Sequence, residues 1–330
     1  MNLGIPLGLS SGLCWGAADF FGGIQSRRLP ALTVAFWSQL AGALGLAVAL
    51  AIEGPGPAGP GSGSSSGPGA ALGLGAAVAW ALESGIAWGL AAGVGGGCAL
   101  VLFYRGLAEG TMSVVAPISA CGAVVPVAAA VLTGNQPGAP AALGILAAVT
   151  GVVLVSGARP SRAGPHPPST ARSPVGPPAA GTPVRSGLVV AMALGSALGF
   201  GLFYVFVDAG TAAAGTSGSQ SSPLWVIAGA RVSSLAILST IALCGRRSAL
   251  RWPGRRIGAV ALVGIGDTGA NLLFAYAATT GNLAVVGVLG SLYPVATVIL
   301  ARWLLGERLS GGQNAGVVLA LTGVGLLAAA

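Results

Sequence analysis

The stretch Gly264–Val286 reads GIGDTGANLLFAYAATTGNLAVV, and the stretch 171 residues earlier, Gly93–Val115, reads GVGGGCALVLFYRGLAEGTMSVV. Aligned without a gap, eight of 23 positions are identical: Gly93/Gly264, Gly95/Gly266, Ala99/Ala270, Leu102/Leu273, Phe103/Phe274, Gly110/Gly281, Val114/Val285 and Val115/Val286. A Gly- and Ala-rich chain inflates such a count, so the shared order of small, apolar and turn residues carries more weight. Each copy is an apolar span that closes at a Gly-containing turn and opens directly into a second span, the pattern of a duplicated membrane unit. The copies differ at one telling place: Asp267 and Asn271 in the second stand where the first has Gly96 and Leu100. Function is expected at that asymmetry.

The composition agrees. Of 330 residues, 54% are apolar and 7% charged, against about 25% charged in a soluble domain. Apolar runs near 20 residues recur, each long enough to cross about 30 Å of hydrocarbon as helix. The roughly 10-residue alternating segments of a membrane β-barrel are not seen. The fold class is therefore an all-α polytopic membrane protein. Its N-terminus, MNLGIPLG, lacks the basic n-region of a cleavable signal. Cys14, Cys98, Cys121 and Cys244 lie scattered without a CxxC pair and read as small apolar fillers. His166, the one histidine, sits in a Pro-rich loop, which argues against a His-based metal site or catalytic triad. All 15 basic residues are Arg, and their grouping in alternate loops is a topology signal, with no nucleic-acid footprint.

Ten spans are predicted, near 5–24, 31–52, 86–108, 112–133, 140–157, 187–207, 224–244, 257–278, 282–304 and 311–329. A neutral Gly/Pro/Ser linker, 54–69, follows the second, and Ala70–Glu83 reads as a short interfacial helix. A Pro/Ser/Arg-rich linker, 158–186, separates a first five-helix repeat (1–157) from a second (187–330). Five is odd, so the second repeat enters the membrane inverted. Arg27 and Arg28, Arg105, Arg159 to Arg185, Arg246 to Arg256, and Arg302 with Arg308 fall at the odd-numbered loops, and the even-numbered loops have none. The positive-inside rule then places the odd loops in the cytoplasm and both termini outside.

Few polar residues lie within spans. Asp267, near the middle of span 8 with Asn271 one turn on, costs at least about 2.5–3.5 kcal/mol in mid-bilayer unless it faces an interior cavity. It reads either as a substrate or proton site or as a carboxyl hydrogen-bonded between helices, with Asn271 as glue. Asp19 follows Trp15 by one turn in span 1; the pair suits a cationic or zwitterionic ligand, or Asp19 anchors the helix near the interface. Arg231 in span 7 would bind a substrate carboxylate or, the reading favoured here, form a structural ion pair with an Asp. Phe200, Tyr204 and Asp208 share a face of span 6, where Tyr204 is expected in the cavity and Asp208 at a solvated helix end. Tyr104, Tyr276 and Tyr293 are further cavity or interface candidates, Arg105 and Glu109 form an i,i+4 surface pair, and Glu307 closes a helix turn with Arg308. The candidate substrate-binding set is Asp19, Trp15, Tyr204, Arg231, Asp267, Asn271 and Tyr293. Pro117, Pro126 and Pro294 should kink or break their spans.

Leu292-Tyr293-Pro294-Val295, then Leu305-Gly306-Glu307-Arg308-Leu309, Gln313, Gly316 and Thr322-Gly323-Val324, resemble the closing signature of the EamA branch of the drug/metabolite transporter superfamily. Gln136 and Thr150-Gly151-Val152 echo it in the first repeat, and Leu13–Phe21, LCWGAADFF, is similar to the family's first span. The resemblance covers nearly the whole chain. It implies a secondary carrier that exports a small polar metabolite, an amino acid or a drug-like solute, by alternating access; uptake by the same fold is the alternative. It implies multi-pass residence in the cell (inner) membrane, contact with lipid and a small-molecule substrate, and no resident cofactor. Proton coupling through Asp267 or Asp19 and homo-oligomerisation stay open. Gly264-Ile265-Gly266-Asp267 also matches the GxGD motif of intramembrane aspartyl proteases, with Pro30-Ala31-Leu32 as a PAL triplet. The order of the two motifs is reversed, however, and no Tyr-Asp pair supplies the second carboxyl such an enzyme needs.

Overall fold

In hydrocarbon every backbone amide must find its partner within the segment, and this chain meets that demand with helices. The computed structural model describes residues 3–53, 80–109, 115, 118–134, 138–157, 183–216, 223–244, 251–305 and 311–329. Among them the long helices are α1 (Gly4–Ser26), α2 (Ala31–Glu53), α3 (Ile86–Glu109), α4 (Val124–Leu132, entered through a 3-10 turn at Cys121–Ala123) and α5 (Ala139–Gly157). The second half contains α6 (Pro183–Thr216), α7 (Pro223–Cys244), α8 (Ile257–Thr280), α9 (Leu283–Gly290), α10 (Tyr293–Leu305) and α11 (Gly311–Ala329). No strand occurs among the described residues. Each expected span corresponds to a helix, the ninth broken into α9 and α10. Five stretches are long and apolar enough to cross a membrane by length and composition alone: Ala31–Glu53, Ile86–Glu109, Gly187–Gly215, Pro223–Cys244 and Gly254–Thr280. Large apolar side chains such as Leu44, Ile52, Leu262 and Ile265 face outward.

Contacts at the helix ends fix the chain directions. Gly281, just after α8, packs on Gly4 at the start of α1, so the two helices run antiparallel. Gly85, held at a positive φ before α3, packs on Gly210 near the end of α6, so these two are antiparallel as well. At the opposite end of the bundle Trp37 of α2 donates to the Arg251 carbonyl at 3.2 Å and meets Trp252 edge to face. The loop after α1 and the loop before α8 therefore share one end, as their arginines require. The halves are inverted five-helix repeats. Matching pairs follow: α1 lies on α8 as α6 lies on α3, and α2 on α8 as α7 on α3. The pairs α2·α7 and α5·α11 join each helix to its own counterpart.

The repeated glycines sit where these helices cross. A Cβ on Gly93 of α3 would collide with the Ala230 carbonyl of α7, and one on its repeat mate Gly264 of α8 with the Ser38 carbonyl of α2. Gly151 meets Gly316 and Ala320 across the α5·α11 crossing, and Gly323 meets Gly144 and Ala148 in return. Small residues that let backbones touch are the usual means of packing helices where lipid is as apolar as the side chains. On α1, Gly8, Gly12 and Gly16 form such a stripe against Leu289, Gly290 and Tyr293. The break in span 9 follows from Pro294, which offers no N–H to the turn before it. The Ser291 hydroxyl bonds back to the Gly287 carbonyl at 2.8 Å, and the Thr297 hydroxyl reaches the Gly16 carbonyl at 3.1 Å, tying the broken span to α1.

Several expectations shift. Helix α6 runs on to Thr216, so Asp208 is a half-buried residue inside it and no solvated end. Arg105 and Glu109 do form an exposed pair, at 3.9 Å. Of the expected interfacial helix only 80–83 falls among the described residues, where it is helical. Linker 54–69, residues 158–182, Pro117, Gln136, Glu307 and Arg308 lie outside them. Since a lone Cβ at Gly264 strikes backbone, Gly264→Ala is expected to destabilise the detergent-solubilised protein by the upper end of roughly 1–3 kcal/mol or more. Gly269→Ala on the same helix, where nothing lies within 4 Å, should leave the thermal midpoint essentially unchanged.

Candidate functional site

Helix α1 places Ser11, Trp15 and Asp19 on one face, each a turn apart. The Ser11 hydroxyl anchors that face to the Ala270 carbonyl of α8 at 2.8 Å. Trp15 and Asp19 then look into a cavity lined by helices of both repeats. All seven candidates from the sequence line it: Trp15, Asp19, Tyr204, Arg231, Asp267, Asn271 and Tyr293. Gln39, Ser234, Phe200, Phe203, Leu100 and the glycines 93, 96 and 97 complete the wall.

Its polar centre is a knot around one carboxylate oxygen. Arg231 Nη2 lies 2.8 Å from Asp267 Oδ2, and Gln39 Nε2 donates to the same oxygen at 3.2 Å. Asn271 Nδ2 approaches it at 3.4 Å. The Gln39 carbonyl in turn accepts from Arg231 Nη1, and the Ser234 hydroxyl reaches it at 3.0 Å. Three helices are thereby joined: α2 through Gln39, α7 through Arg231 and Ser234, and α8 through Asp267 and Asn271. Arg231 is only 5% exposed and Asp267 18%, so the pair is largely withdrawn from water and its attraction is weakly screened. Arg231 Nε is buried without a hydrogen-bond partner.

Asp19 differs from Asp267. It lines the same cavity, is half-buried, and makes no hydrogen bond or ion pair among the described residues. Beside it stands an aromatic cluster. Trp15 packs against Tyr204 at 5.5 Å and Phe274 at 5.7 Å between ring centroids, and meets Phe203 edge to face at 6.5 Å. Tyr204 stacks on Phe274 at 4.7 Å.

The lining consists largely of repeat mates. Gly16 packs on Tyr293 and Ala296, and Gly201 packs on Gly122 and Val125, which precede those two by the same 171 residues. This registers α1 on α6 at a shift of 185, where LCWGAADFF (13–21) faces LGFGLFYVF (198–206). The crossings of Gly93 on Ala230 and Gly264 on Ser38 register α2 on α7 likewise and match Gln39 with Arg231. Five mated pairs then line the cavity: Trp15/Phe200, Asp19/Tyr204, Gln39/Arg231, Gly96/Asp267 and Leu100/Asn271. In each pair that includes a charge, the mate is neutral. The cavity thus lies on the pseudo-twofold axis, and its charge comes from one-sided replacement.

Other sequence candidates fall elsewhere. Tyr104 is buried with its hydroxyl against Gly22, Tyr276 is 38% exposed, and Asp208 does not line the cavity. Sequence reasoning missed Gln39 and Ser234. An amide in the middle of an apolar span, which must find a partner in hydrocarbon, was the available signal for Gln39. If the knot is a unit, Arg231→Ala and Asp267→Ala are each strongly destabilising, because either leaves a charge unpaired; the cost lies toward the lower end of about 3–5 kcal/mol given the exposure of Asp267. The double variant should recover much of the loss, measured as a thermal-denaturation cycle in detergent.

Comparison with known proteins places the chain in a family. A search of curated proteins found no match. One solved crystal structure, titled only as that of a protein, is similar over 98% of this chain and 95% of its own, with a TM-score of 0.62 and 18% identity, which shows a shared fold and no more. The family model described as the EamA-like transporter family matches residues 2–157 and 187–329, one match for each repeat. With nearly its whole length matched, this chain belongs to the EamA-like transporter family.

Proposed function

We propose that the chain is a secondary carrier that exports a small polar metabolite across the cell (inner) membrane by alternating access. The observation that carries this reading is the cavity itself: a charged, aromatic-walled space on the axis between two inverted repeats, inside a bundle whose outer face is apolar. A carrier needs one site that either repeat can close from its own side, and a site on the pseudo-twofold axis meets that need. The glycine crossings allow the helices to slide with little side-chain interlock, and the break at Pro294 supplies a joint beside Tyr293. Export and the inner membrane are what the family resemblance implies, and the positive-inside rule assigns the arginine-bearing end to the cytoplasm. The candidate set is the seven residues named from the sequence, in which Arg231 and Asp267, with Gln39 and Ser234 added, form the frame and the others face the substrate.

Within this reading the two acids divide the work. Asp267 holds the knot closed with Arg231 and Gln39, while Asp19 is the carboxyl open to a substrate or a proton. The charged and titratable groups lining the space around it are Asp267 and Arg231 from α8 and α7, Tyr204 from α6 and Tyr293 from α10. Protonation of Asp19 removes the negative charge that a basic substrate group would use, so acidification on the substrate side should weaken uptake into the site.

Two outcomes check this. The spent medium of cells overproducing the protein should be enriched in a specific metabolite over cells lacking it; identical media would remove export. In proteoliposomes, Asp19→Asn should flatten the pH dependence of substrate flux. Asp267→Asn should lower flux chiefly through a less stable protein, with the pH profile retained; the reverse assignment would exchange the roles of the two acids.

A further inference from the structure

The charges that line the cavity add up to a specific preference, and the inference rests on the carrier reading above. Two carboxyl groups and one guanidinium face the space: Asp19, Asp267 and Arg231. Arg231 and Asp267 neutralise each other at 2.8 Å. The second terminal nitrogen of the guanidinium is held by the Gln39 carbonyl, and its Nε is buried out of reach. Among the described residues that line the space, no cationic group is left without a carboxylate partner. Asp19 remains, with no hydrogen bond or ion pair among the described residues, one turn along α1 from Trp15 and lining the same space as Tyr204. One uncompensated carboxylate beside aromatic faces fits one positive charge, held by Coulomb attraction and by the ring quadrupoles. The apolar remainder of the wall, with Phe200, Phe203 and Leu100, suits a hydrocarbon body on the same molecule.

We infer that the substrate class is a monovalent organic cation, its ammonium seated between the Asp19 carboxylate and the Trp15 and Tyr204 rings, and that zwitterions and anions are discriminated against. A zwitterion would bring a second carboxylate to a guanidinium already paired with Asp267 and would compete with that pair for it.

The test uses the full chain in proteoliposomes with three probes that share a phenyl-alkyl body: phenylethylamine as the cation, phenylalanine as the zwitterion and phenylpropionate as the anion. Protein-free vesicles give the leak. Phenylethylamine flux should exceed that of the other two by at least about tenfold, the factor that 1.4 kcal/mol of differential binding supplies. Asp19→Asn should remove that preference and Asp19→Glu restore part of it. Trp15→Leu should weaken phenylethylamine binding about threefold to thirtyfold, the range expected for a cation–π contact. Thermal midpoints of the variants close to that of the parent protein show that the loss is of binding and not of fold. Phenylalanine or phenylpropionate moving as well as the amine would overturn the cation class and leave the carrier reading standing. A preference for the amine that survives Asp19→Asn would overturn the assignment of its ammonium to Asp19. Failure of all three probes to bind or move would overturn the cation class, whereas the carrier reading answers separately to the spent-medium comparison.

Discussion

A guanidinium and a carboxylate buried in hydrocarbon have few places to go, and the Arg231–Asp267 pair shows where this molecule puts them. Either charge alone would be costly at that depth. Together, and with the Gln39 amide bonded to both, they bind α2, α7 and α8 at a single point. That point lies on the pseudo-twofold axis, because Gln39 and Arg231 are each other's repeat mates. A contact between mates is the one kind that an inverted duplication can place at its own centre. Everything else in the site is arranged around it: the glycines of α3 and α8 allow α7 and α2 to approach, and the aromatic cluster of α1, α6 and α8 closes one wall.

The duplication explains why the cavity exists at all. Inverted repeats pack most closely through their matched crossings, α1 on α8 with α6 on α3, and α5 on α11. Around the axis, mates of unlike size leave space between them. Gly96 gives no side chain where Asp267 gives one, and Leu100 stands where Asn271 does. The unlike residues at these paired positions supply both volume and polarity, while the crossings depend on other positions. The same logic separates the two acids. Asp267 stands where the other repeat has a glycine, pairs with Arg231 and is part of the frame, while Asp19 stands where the other repeat has Tyr204 and keeps its carboxyl open to the cavity.

Much of this was written in the chain. Spans of near 20 apolar residues, the 171-residue shift, the odd number of spans per repeat and the alternation of arginine between loops are local or periodic features, and hydrocarbon gives them only one solution: paired, inverted bundles of helices. The polar residues within spans, Asp19, Arg231, Asp267 and Asn271, were conspicuous for the same reason. What the sequence could not say was which of them are partners. Arg231 and Asp267 are 36 residues apart, and Gln39 is 228 from Asp267; their meeting depends on how α2, α7 and α8 cross, a matter of backbone approach at Gly93 and Gly264. The mating of Asp19 with Tyr204 and of Gln39 with Arg231 was equally hidden, because identity between those helix pairs is slight and only the crossings reveal the register. Composition and periodicity thus determined the membrane, the helices and their doubling. Tertiary packing alone decided which of the two cavity acids is held in an ion pair and which is left without one, since that turns on distances of a few ångströms between segments that are remote in the chain.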